Sequence, residues 1–91
     1  MGYNEFIITI GEHKMPQLTL NLKDSDTAQE IEMHISYMVN ENGEIETWVT
    51  VSGICKHVYT FAPDDFTEEY DDIPDMLRDW KQRLYDFWRE L

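Results

Sequence analysis

Positive charge is scarce in this chain. Seven Lys and Arg face nineteen Asp and Glu, a formal net charge of −12 over 91 residues. Small, well-behaved domains carry a net charge of magnitude about 2–8. An excess of this sign argues against direct binding to nucleic acid or to anionic lipid, because repulsion dominates the approach, and it favours attraction to a basic surface. Cysteine is scarcer still. Cys55 stands alone, so no internal disulfide framework exists. That fits a reducing compartment. No apolar stretch is long enough to span a bilayer. Met1 to Ile10 has neither a basic start nor a long apolar run and does not read as a secretory signal. The expectation is a cytoplasmic protein without membrane contact. Gly-rich phosphate loops, a Gly-x-Ser-x-Gly elbow and basic patches interleaved with aromatics are all missing.

Aromatic residues, by contrast, are plentiful: three Trp, five Tyr and four Phe. Disordered acidic chains lack them, so this chain is expected to fold. Its length suits a single domain over residues 1–91, with one core.

The acids fall in two blocks. Residues 24–46 hold seven (Asp24, Asp26, Glu30, Glu32, Glu41, Glu44 and Glu46) and no Lys or Arg. Residues 63–79 hold eight (Asp64, Asp65, Glu68, Glu69, Asp71, Asp72, Asp75 and Asp79) against Arg78. Ordinary surfaces mix signs, and self-repulsion at this charge lowers fold stability, so a compensating use is a fair inference.

Alternation organises the first two-thirds. Phe6, Ile8 and Ile10 suggest one strand, and Leu18, Leu20 and Leu22 a second. Ile31, Met33, Ile35, Tyr37 and Val39 alternate with polar residues in the cleanest two-residue period of the chain. Asn40-Glu41-Asn42-Gly43 reads as a turn, with Gly43 suited to positive φ. A fourth strand runs from Glu44 to about Ser52, Gly53 breaks it, and Lys56 to Phe61 makes a fifth. A register opposing Tyr37 to Ile45 sets Met33 beside Val49 and puts Glu30, Glu32, His34, Glu44, Glu46 and Trp48 on the other face. The tail predicts one amphipathic helix. Asp72 caps it, Pro74 and Asp75 sit in the first turn, and Ile73, Leu77, Trp80, Leu84, Phe87, Trp88 and Leu91 form its apolar stripe. One helical turn in the acidic bridge 62–71 sets Phe66 beside Tyr70. The fold class is α+β: an antiparallel meander of four to five strands with a C-terminal helix on one face.

Catalytic signals are weak. Cys55 and His57 share a strand face by spacing, yet no third residue orients the histidine, and a core or edge cysteine beside a strand histidine explains both. The three histidines have no ligand spacing for zinc, and the run Asp64 to Asp75 lacks the alternating oxygens and central glycine of an EF-hand. The expectation is a non-enzyme with no metal and no cofactor. Trp48, a large aromatic among glutamates, is either an interface anchor or a cross-strand partner of His34.

The function expected is that of a small acidic inhibitor. Carboxylates two apart on a strand point the same way about 6.6–6.8 Å apart, close to two rises of a DNA strand. Glu30 with Glu32, Glu44 with Glu46, and the loop residues Asp64, Asp65, Glu68, Glu69, Asp71 and Asp72 thus imitate nucleic acid before a basic partner such as a nuclease, with Trp48 adding contact. Anti-CRISPR, anti-restriction and nuclease-immunity proteins work in this way. The alternative is a non-inhibitory interaction module or small subunit, as monomer or homodimer.

Overall fold

The computed structural model describes residues 16–91. The strand expected over Phe6–Ile10 lies outside the described residues. From Pro16 onward, four strands form one antiparallel sheet in sequence order: β1 (Gln17–Lys23), β2 (Glu30–Val39), β3 (Ile45–Val51) and β4 (Ile54–Phe61). Two helices follow, α1 (Ile73–Asp79) and α2 (Lys81–Glu90). The fold is α+β, a meander with its helices on one face.

Each strand contributes alternate residues to that face. Leu22, Met33, Ile35, Ile45, Val49, Val51 and Phe61 are buried there with Met76, Leu77, Leu84 and Tyr85 of the helices. The connections use the backbone each turn needs. Asp24 Oδ1 accepts from the amides of Asp26 and Thr27, and Ala28 turns the chain with φ 58° before β2 begins. Asn40 Oδ1 accepts from Asn42 and Glu44, with Gly43 at φ 82°. Ser52 and Gly53 both have positive φ, the mirror-image geometry that a two-residue hairpin requires.

The β2–β3 register differs from the expected one by two residues. Tyr37 opposes Thr47 and Ile35 opposes Val49, while Met33 opposes Leu20 of β1. An even shift preserves the faces and moves the partners, because side chains repeat every second residue. The last strand begins two residues earlier than expected and contains a bulge. Thr47 opposes Tyr59, but Trp48 opposes His57, leaving Val58 unmatched. This one extra residue sends His57 to the open face while Tyr59 and Phe61 turn inward. The fully buried Thr47 hydroxyl donates to the Tyr59 carbonyl at 2.7 Å beside the irregularity.

The expected single helix is bent at Trp80, where φ −94° and ψ 2° leave helical geometry. The Trp80 amide still reaches the Met76 carbonyl at 3.1 Å, and Leu84 reaches Trp80 at 2.9 Å. No Pro or Gly sits at the bend. The Trp80 ring packs against Tyr59 and Phe61, and the three-to-four spacing of apolar residues continues through it. Asp72 caps α1 as expected, accepting from the Asp75 amide at 2.9 Å. Lys56 closes the other end of α2, donating to the carbonyls of Trp88 and Leu91 at 2.9 Å each. No helix among the described residues is long and apolar enough to cross a membrane.

Candidate protein-interaction surface

The two acidic blocks are split and recombined by the fold. One end of the sheet carries the β2–β3 turn and the bridge after β4. Ile45 opposes Phe61, so the turn and the bridge start side by side. A Cβ added at Gly43 would lie 3.5 Å from the Pro63 side chain, which shows how closely they pack. Glu41, Glu44 and Glu46 therefore share an end of the molecule with Asp64 and Asp65. Burial, and then the nearby charge of Asp72, raise the Tyr37 hydroxyl above the usual tyrosine range.

Several of these acids also hold local structure. Asn40 Nδ2 donates to both Glu44 and Glu46, at 3.0 Å each. Asp65 accepts from the Ala62 amide across the 3₁₀ turn Pro63–Asp65, Asp75 accepts from the Asp71 amide, and Asp79 accepts from the Tyr70 hydroxyl at 2.8 Å. Tyr70 is raised chiefly by that bond to Asp79. The turn sits earlier than expected: it covers Pro63–Asp65, and no helical turn joins Phe66 to Tyr70. None of these donors is a cation. Among the described residues, Lys or Arg pairs with carboxylates only where Arg89 meets Asp24 and Asp26. Exposed Met38, Val39 and Phe66 add apolar area around this acidic end.

Glu30 and Glu32 lie toward the opposite end. Glu30 opposes Lys23 on β1, and both glutamates line a groove of about 480 Å³ with His34, Val51, Ser52 and Gly53. Glu46 opposes Met38, six residues further along β2 than Glu32, a separation of about 20 Å on the open face. The four glutamates expected on one face are thus two pairs at its two ends. Trp48 opposes Ser36 between them, rather than His34. Its ring instead meets His57 edge-on, 5.1 Å between centroids. His57 Nε2 lies 3.3 Å from the Thr60 hydroxyl and 3.9 Å from Glu46 Oε1. Cys55 is exposed two residues before His57 on the same face, with no hydrogen bond between them.

Sequence reasoning missed Asn40 as the residue that gathers Glu44 and Glu46, and His57 as the partner of Trp48. The first carried a signal, since Asn in a turn commonly bonds backbone two residues on. The second depends on the bulge, which no residue type announced. No family model, characterised protein or solved structure matches this chain. Among the described residues no group of three His, Cys, Asp or Glu is placed to hold a metal ion.

Proposed function

We propose that this protein is a small acidic inhibitor that occupies the basic nucleic-acid-binding surface of a partner protein. The observation that supports this reading best is the meeting of two sequence-distant acidic segments at one end of the sheet, with no Lys or Arg of the described chain paired to them. Carboxylates held by amide and asparagine donors have a fixed position without a cation of the described chain beside their donors. That is what electrostatic steering toward a cationic groove needs. The exposed apolar residues beside them supply contact area that charge alone lacks.

The test is competition. The full chain is immobilised, a bacterial lysate treated with nuclease is passed over it, and bound protein is eluted with salt and identified. A nucleic-acid-binding protein that is released as salt rises and displaced by added DNA or RNA supports inhibition by mimicry. A salt-resistant partner that binds nucleic acid and the chain simultaneously makes the protein a non-inhibitory subunit instead.

A further inference from the structure

The open face of the sheet offers a more specific inference, which rests on the reading of the acidic surface as a cation-docking one. Two of the three tryptophans already carry a cation from their own chain. Lys56 Nζ lies 4.5 Å from the Trp88 ring centroid, and the Arg83 guanidinium lies 4.7 Å from that of Trp80. Tyr85 likewise has Arg89 at 5.8 Å. Trp48 has none among the described residues. It is half-buried in the face away from the helices, with the His57 ring 5.1 Å away and steeply inclined to it at 72°. Glu46 is two residues away on the same strand face, about 6.6–6.8 Å along it.

We infer that Trp48 is the seat of an arginine side chain presented by the partner. The guanidinium stacks on the indole while Glu46 accepts its hydrogen bonds. Arginine fits better than lysine because its planar, weakly hydrated head both stacks and forms forked bonds to carboxylate. The carboxylate pair Glu30 and Glu32, about 20 Å along the face from Glu46, suits further cations on the same surface. The occupant is thus an arginine-bearing protein segment laid across β2 and β3, and charge complementarity orients it.

The experiment uses the full chain labelled with ¹⁵N and two probes, nona-arginine and nona-lysine peptides, at low salt. The expected result is tighter binding of nona-arginine by about three- to tenfold, with the Trp48 indole N–H resonance among those that move most. Trp48→Ala should abolish the preference for arginine, and Trp48→Phe should keep part of it. His57→Lys, which sets a fixed cation beside Trp48 and Glu46, should abolish it without removing the indole. Equal binding of both peptides by the unaltered chain, or resonance changes confined to residues 41–44 and 62–72 with Trp48 unmoved, would overturn this inference and leave the acidic-surface reading standing. Failure of both peptides to bind would sink this inference and the acidic-surface reading together.

Discussion

Carboxylates at the two ends of the sheet do different work. At the β1–β2 end, Asp24 is buried and accepts from the Tyr85 hydroxyl at 2.8 Å, from two amides of its own turn, and faces Arg89 at 3.8 Å. Arg89 also donates to Asp26 at 2.9 Å. These bonds cross more than sixty residues of sequence and fasten α2 to the opposite edge of the sheet. At the β2–β3 end, the acids accept from nearby amides and from Asn40, and no Lys or Arg of the described residues pairs with them. The first arrangement stabilises the fold through specific bonds. The second fixes local geometry and leaves a field directed outward. Placement decides which role a carboxylate has, since the chemistry of the side chains is the same.

Reversing charge at the outward end is the strongest way to break this comparison. Asp64, Glu68, Glu69 and Asp71 replaced together by Lys should weaken binding to the basic partner on the order of 100-fold and flatten its salt dependence, with the thermal transition retained. The parallel reversal at Glu30 and Glu32 alone apportions binding between that end and the far end of the open face. If calorimetric affinity ignores both sets, the outward field is not what the partner reads.

The fastening end should reveal itself through pH. The Tyr85 hydroxyl, the Asp26 amide and Arg89 among other causes hold Asp24 below its usual 3.8. A carboxyl depressed in the folded state contributes stability at pH above the unfolded value and loses it as pH falls through the folded one. Tyr85→Phe should lower the urea midpoint at pH 7 and make the loss of stability as pH falls below about 4 shallower. An unchanged acid limb in urea titrations would show that Asp24 does not gain from this bond.

Neutralising the outward acids should have a smaller effect, of opposite sign. Asp64→Asn, Glu68→Gln, Glu69→Gln and Asp71→Asn together should leave stability equal or raise it by about 0.5–1 kcal/mol at low ionic strength, with the gain fading in salt. A large destabilisation in denaturant titrations would mean that these acids serve the fold after all. The smallest expected change is Ala28→Gly in the fastening turn. Glycine relieves a left-handed residue at φ 58° but adds freedom to the unfolded chain, for a net gain of about 0.5 kcal/mol. Thermal denaturation reads it directly.

Much of the architecture is legible along the chain. Ile31 to Tyr37 alternates because one face of β2 is more buried than the other, and the structure keeps those faces, while Val39 at the strand end is exposed. Gly43 and Gly53 mark turns because both take positive φ. Asp72 caps α1 because the first helical amides need an acceptor. Less visible were the buried Met76 and Tyr85, which complete the core on the flanks of the expected stripe. Met76 adjoins Leu77, and Tyr85 reads as polar-ended until Asp24 is there to receive its hydroxyl.

The sequence by itself determined the fold class, the strand faces, the main turns and the sign of the surface charge, because these follow from local periodicity, backbone preference and composition. Only the tertiary structure decided the rest. The β2–β3 register moved by two residues, which no face pattern resists, and this set Glu46 opposite Met38 and away from Glu32. A bulge at Val58 brought His57 to Trp48, and the packing of Pro63 on Gly43 joined two acidic segments that the sequence separates. Each of these depends on contacts between distant residues, and their free energy exists only once the chain has closed upon itself.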